Sequence, residues 1–157
     1  MQLHGGCICT NVRYTINQEP LFVHACHCSD CQRYSGSAFV VLVGTAKDDF
    51  EIDGELTKVT NPTPSGSGYD ANLCPKCATV IWQKYHFVDL PIIVVRGGTL
   101  DDPALAPPTY HIFTDSKQSW LELSDSEKTF PGWMEANEVW SPKTLQRMKE
   151  MADVKKA

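Results

Sequence analysis

The sequence predicts a mainly β domain, stapled by metal and finished by a C-terminal helix. Three observations predict it: short apolar or alternating runs separated by turn residues, seven cysteines in short-range groups, and a capped amphipathic segment at the end. At 157 residues the chain suits one domain, 1–157, since domains commonly run about 100–150 residues. Its 42% hydrophobic and 21% charged residues exclude a disordered or fibrous chain.

In chain order, Val12-Arg13-Tyr14-Thr15-Ile16 alternates as a half-buried strand does, and Leu21-Phe22-Val23 leads into a cysteine triplet. Ser29 is placed to cap a short helix through Tyr34, stopped by Gly36. Ala38-Phe39-Val40-Val41-Leu42-Val43 and Ile92-Ile93-Val94-Val95 read as buried strands. Asp53-Gly54, between Phe50-Glu51-Ile52 and Leu56-Thr57-Lys58-Val59, predicts a hairpin turn. Residues 62–68 read as a loop and 101–108 as a Pro-rich crossing. From Ser141 the tail, 141–157, predicts a docked helix, with Ser141 capping, Pro142 in the first turn and Leu145, Met148 and Ala152 as its apolar stripe. Met148 and Met151 read as packing residues, Lys155 and Lys156 suit the negative end of the helix, and a subunit interface is a further use for it.

A net charge of −5 argues against a nucleic-acid partner, and no apolar stretch approaches the ~20 residues needed to span a membrane. Met1-Gln2-Leu3-His4-Gly5-Gly6 lacks the regions of a secretory signal, so the expected compartment is cytoplasmic. In that reducing setting an odd number of cysteines is better explained by metal or thiol chemistry than by a disulfide framework.

Cys7 and Cys9 form C-x-C, Cys26, Cys28 and Cys31 form C-x-C-x-x-C, and Cys74 and Cys77 form C-x-x-C. Tetrahedral zinc puts neighbouring sulfurs about 3.8 Å apart, which favours ligands in short-range pairs. Cys74-Pro75-Lys76-Cys77 fits that directly; Cys7-Ile8-Cys9 needs a bend, for which Gly5-Gly6 is the candidate. Joining the two pairs makes a closed four-thiolate structural site and leaves Cys26, Cys28 and Cys31 around an open position, the mark of a catalytic metal. Counting also allows the triplet to recruit one outside cysteine, or His24 or His27, as a fourth ligand.

Gly5-Gly6-Cys7-Ile8-Cys9 with Val12-Arg13-Tyr14, then Cys26-His27-Cys28-Ser29-Asp30-Cys31-Gln32-Arg33 running into Ser35-Gly36-Ser37, then Leu73-Cys74-Pro75-Lys76-Cys77, resemble the three ordered motifs of the glutathione-dependent formaldehyde-activating enzyme family, which also includes centromere protein V. The resemblance runs from about residue 3 to about residue 125, with Tyr110-His111-Ile112-Phe113 and Trp120 fitting its later part. Thr10 departs from it, since the family usually has glycine after the C-x-C. The resemblance implies two zinc ions, a structural one on Cys7, Cys9, Cys74 and Cys77 and a catalytic one on Cys26, Cys28 and Cys31. It also implies a small zinc-bound β-tent (Mss4-like) fold and a carbon–sulfur lyase that joins formaldehyde or a related aldehyde to glutathione.

Glutathione carries two carboxylates, so cations are expected at the site: Arg33 directly after the triplet is favoured, with Lys76, Lys84 and Arg96 read as solvated surface charge. Tyr34, Tyr85 and His86 are candidate proton donors or packing residues, and Trp82, Trp120, Trp133 and Trp140 core or interface aromatics. Two other classes compete: a zinc-stabilised protein-binding module without turnover, and a thiol redox switch that would form reversible disulfides.

Overall fold

The computed structural model describes residues 2–63 and 66–156, with side chains to Val154. Pro64 and Ser65 of the expected loop, and the Lys155 and Lys156 side chains, lie outside the described residues. Ten strands, β1 (Leu3–Gly6), β2 (Arg13–Ile16), β3 (Phe22–Cys26), β4 (Val40–Ala46), β5 (Phe50–Asp53), β6 (Thr57–Asn61), β7 (Tyr69–Leu73), β8 (Val80–Tyr85), β9 (Ile92–Arg96) and β10 (His111–Ile112), form two sheets. The smaller has the order β1-β2-β5 and the larger β10-β3-β4-β9-β8-β7-β6. The helices are α1 (Ser29–Ser35), α2 (Ala136–Val139) and α3 (Pro142–Lys156). The chain is therefore mainly β, and no described helix is long and apolar enough to cross a membrane.

Alternation along the strands divides the larger sheet into two working faces. Val23, Val43, Ile93 and Val95 pack with Leu3, Tyr14 and Ile16 of the smaller sheet, and with Val12 just before β2, to form one core. The residues between them, Leu42 and Val94 with Cys26 of β3 and Ile112 of β10, form a second core. A one-residue slip of register would exchange the two faces, so the pairings Cys26↔Val40, His24↔Leu42 and Leu42↔Arg96 determine which side chains meet on the second face.

Three local expectations are corrected. The Asp53-Gly54 turn does not join a hairpin: β5 pairs with β2 while β6 pairs with β7 in the other sheet. Gly54 takes φ 105, and a Cβ there would lie 2.6 Å from the Asn11 carbonyl, so this corner moves the chain between sheets. The predicted 38–43 strand begins at Val40 and runs on to Ala46. The cap of α1 is Cys28, whose sulfur accepts the Cys31 N–H; Ser29 already lies inside the helix, and Gly36 ends it at φ 64 as expected.

The terminal helix does dock. The Thr144 N–H donates to Ser141 Oγ at 3.1 Å, making Ser141 the cap, and Thr144 Oγ1 donates to the Leu21 carbonyl at 3.0 Å. Met148 is buried with Leu21 and Ile92, and Arg147 pairs with Asp49 at 2.8 Å. The seated face is thus Thr144, Met148 and Met151, rotated from the expected Leu145–Met148–Ala152 stripe.

Candidate metal centres and the cavity between them

Cys7, Cys9, Cys74 and Cys77 converge, their sulfurs all within 4.8 Å of one another. Measured separations are 3.5 Å for Cys7–Cys9 and 3.7 Å for Cys9–Cys74, close to the ~3.8 Å edge of a zinc tetrahedron. Two similar turns build the cluster. The Thr10 N–H bonds the Cys7 carbonyl at 3.0 Å, the Ala78 N–H bonds the Cys74 carbonyl at 2.9 Å, and the residue after each second cysteine is left-handed, Thr10 at φ 59 and Ala78 at φ 57. The bend that folds Cys7 onto Cys9 therefore lies at 7–10, not at Gly5-Gly6. Those glycines are strand residues, and Gly5 is required for close approach, since a Cβ would fall 2.3 Å from the Tyr14 hydroxyl. Hydrogen bonds to Thr79 lower Cys77 to about 5, which favours the thiolate a metal needs.

Cys26 at the end of β3, and Cys28 and Cys31 at the start of α1, bring three sulfurs within the same 4.8 Å on the other face. No histidine joins this group among the described residues, so neither His24 nor His27 supplies a fourth donor. His27 is fully buried and bonds His111 ring to ring at 2.9 Å, while burial holds His24 at about 4 and therefore neutral. Hydrogen bonds from Cys26 and Cys31 draw Cys28 down to about 2 against its burial, and the same bond to Cys28 holds Cys26 up at about 12. Three converging sulfurs of this kind are a donor set that a soft cation such as zinc takes as thiolates. All seven cysteines are free of disulfides. Donor type and spacing at both clusters fit a metal ion such as zinc.

The two clusters differ in what faces them. Cys26, Cys28 and Cys31 line a cavity of about 650 Å³; Cys7, Cys9, Cys74 and Cys77 do not. Its walls are aromatic, with Tyr34, Tyr69, Tyr85, Phe87, Trp133 and Phe113 passing ring to ring at centroid distances of 5.3–6.3 Å. Phe113 is held left-handed at φ 57, its N–H bonded to the Gly132 carbonyl, an unusual conformation for a bulky side chain.

Polar groups in this cavity are few. Arg33 is exposed on the last turn of α1 and does not line it; Arg96, read from sequence as surface charge, is the one cation that does among the described residues. Tyr85 lines the cavity and accepts a hydrogen bond from Gln83, and burial with the nearby cysteines keeps its phenol protonated far above its usual range. Tyr34 stands at the rim, whereas His86 is exposed and pairs with Asp70 at 3.2 Å. Lys84 donates to the Val88 and Leu90 carbonyls. Sequence reasoning missed Gln83, whose signal was a buried polar residue inside a strand pattern.

No curated protein sequence matches the chain. Among solved structures, a Rhodobacter sphaeroides protein is 15% identical, with a TM-score of 0.46, covering 81% of this chain and 98% of its own. The family model for glutathione-dependent formaldehyde-activating enzymes matches residues 2–116, which include both cysteine clusters and all ten strands described above. The chain belongs to the glutathione-dependent formaldehyde-activating enzyme family.

Proposed function

We propose that the protein is a zinc-dependent carbon–sulfur lyase that joins an aldehyde to a thiol, as family membership suggests for formaldehyde and glutathione. One observation carries the reading: three sulfurs lie together on the wall of a large cavity, while the four-sulfur cluster is outside it. Cys7, Cys9, Cys74 and Cys77 would hold a structural zinc that ties the two sheets into a β-tent. Cys26, Cys28 and Cys31 would hold the second, with one position left for substrate. Zinc bound there supplies one thing, the capacity to keep an incoming thiol as its thiolate.

The chain's own residues do the rest. In the balanced reaction the thiol sulfur bonds to the aldehyde carbon, the carbonyl π electrons move to oxygen, and the proton lost by sulfur ends on that oxygen. Tyr85, which lines the cavity with the cysteines and is kept protonated by burial, would donate a hydrogen bond to the developing oxyanion. The aromatic wall excludes water, which competes for the aldehyde. The role expected of Arg33, holding a substrate carboxylate, is assigned to Arg96.

Native mass spectrometry of the reduced protein tests this, counting zinc before and after adding 2-mercaptoethanol. Two zinc ions and a thiol adduct that disappears in Cys28→Ser are expected. Two zinc ions that ignore the thiol would replace the enzyme with a binding module, and one zinc with oxidisable Cys26, Cys28 and Cys31 would favour redox switching.

A further inference from the structure

The family match ends at residue 116, yet the cavity does not. Trp133, Met134, Trp140 and Met148 all line it and all come from the segment beyond the match. That segment is held by backbone bonds, Phe130 N–H to the His111 carbonyl at 2.9 Å and Phe113 N–H to the Gly132 carbonyl at 2.9 Å, and by Trp140 Nε1 donating to the Tyr110 hydroxyl at 3.2 Å. It is a strap that roofs the sulfur triplet with apolar rings.

Three polar atoms of the cavity lining have no hydrogen-bond partner. Gln83, 1% exposed, has Oε1 without a hydrogen-bond donor; His24, 3% exposed, has Nδ1 without a partner; and the Arg96 Nε is buried and unbonded. All three residues line the cavity. They also share one face, since Gln83 pairs with Val94 two residues from Arg96, and Leu42 pairs with both Arg96 and His24. Among the described residues no carboxylate lies within ion-pair distance of Arg96. Buried groups of this kind are normally satisfied, so a cluster of them on one cavity wall indicates what a ligand brings.

We propose, resting on the thiol–aldehyde reading above, that the cavity selects a bulky, apolar, aryl-sized thiol substrate carrying one anionic group for Arg96, in preference to glutathione. Glutathione brings two carboxylates and an ammonium, and the lining offers Arg96 and, at the rim, Asp30. Burying the tripeptide would leave at least one carboxylate without a cation in a mostly apolar space, which is strongly disfavoured. A ring-bearing thiol instead fills a volume of about 650 Å³, within the range of cavities that take drug-sized ligands, and stacks on the walls. The hydroxyl of its aldehyde adduct provides the donor that Gln83 Oε1 lacks.

The test uses a matched set of thiols on the zinc-loaded, full-length protein: 2-phenylethanethiol, its carboxylate analogue 4-(2-sulfanylethyl)benzoate, and glutathione. Binding is read by the fluorescence of Trp133 and Trp140 and by calorimetry. Both aryl thiols should bind at least tenfold more tightly than glutathione, and the carboxylate should add a further ~10-fold that Arg96→Met abolishes while leaving 2-phenylethanethiol unchanged. Trp133→Ala, at a half-exposed site that tolerates truncation, should weaken both aryl thiols about tenfold without changing zinc content. Glutathione binding as tightly as the aryl thiols, or an Arg96→Met protein that keeps the carboxylate preference, would overturn the inference. If Arg96→Met does not fold, the wild-type ratios and Trp133→Ala decide. Failure of every thiol, 2-mercaptoethanol and the aryl thiols alike, to form an adduct at the triplet would sink the reaction assignment instead, whereas adducts without the aryl preference would sink only this inference.

Discussion

Two cysteine clusters sit on opposite sides of one seven-stranded sheet, and chemically they begin alike. Each gathers free sulfurs within 4.8 Å, and each uses backbone turns to do so. Their neighbours separate them. Around the first lie Leu3, Val12 and Tyr14, a core that takes in Cys7, Cys74 and Cys77 while Cys9 stays exposed. Around the second lie Leu42, Val94, Tyr110 and Ile112, with three sulfurs, partnerless polar atoms and open space. Under the proposed function, the donor count and the surrounding volume, rather than the cysteines themselves, would make one cluster a staple and the other a reaction centre.

The largest effect should come from removing one sulfur on each side. Cys74 is 1% exposed and belongs to the closed cluster. Structural zinc contributes ~10–16 kcal/mol in small peptides, against a typical domain stability of only about 5–15 kcal/mol. Cys74→Ser should therefore abolish cooperative thermal unfolding followed by circular dichroism. Cys28→Ser removes a sulfur from the open cluster, but serine is itself a good helix cap, so α1 keeps its N-terminus and the loss stays near 1 kcal/mol or below. Its signature is one metal fewer by native mass spectrometry with the near-ultraviolet spectrum retained. Equal destabilisation by the two changes would erase the distinction between the clusters.

A chelator titration should sharpen the same contrast without mutation. The triplet faces the cavity with three donors and leaves a position for a small ligand, whereas the four-sulfur cluster, although Cys9 is exposed, offers a complete donor set with Cys7 and Cys74 buried in the core. With 1,10-phenanthroline the first zinc should leave with far-ultraviolet dichroism unchanged, and the second only as the fold is lost. Simultaneous release, measured as zinc against ellipticity, would mean that both metals are structural.

Much of the closed site was legible from sequence because its information is local. A C-x-C and a C-x-x-C report their own turns, and continuous apolar runs such as Ile92–Val95 report burial whatever covers them. The cavity was less legible because it is assembled from afar. Tyr69, Tyr85, Arg96, Leu42, His24 and Trp133 come from five strands and the strap, and no window of sequence contains two walls at once. Arg96 read as surface charge because an arginine at the end of an apolar run looks like a strand leaving the core. Only the register Leu42↔Arg96 shows that it turns inward beside the triplet. The Asp53-Gly54 error has the same origin: the turn chemistry was correct, but the partner of each flanking strand was decided by contacts far along the chain.

The smallest effect concerns the two turns of the closed cluster, which differ in how well their residues suit a left-handed backbone. Thr10 at φ 59 is β-branched, a poor choice for that conformation, whereas Ala78 at φ 57 carries only a methyl group. Thr10 is exposed, and its hydroxyl donates to the Cys9 carbonyl at 2.7 Å, a bond that offsets part of the strain. Relieving the strain with glycine gains about 1–2 kcal/mol, while the freer unfolded chain returns about 0.4–1 kcal/mol of it. Thr10→Gly should therefore stabilise the protein by about 0.5–1 kcal/mol, a rise in melting temperature of roughly 1–4 °C for a chain of this size, and Ala78→Gly by less. Both variants should keep two zinc ions and an unchanged urea m-value. A fall in the urea midpoint of Thr10→Gly would show that the hydroxyl bond outweighs the backbone strain, and that threonine at this turn is held for its side chain.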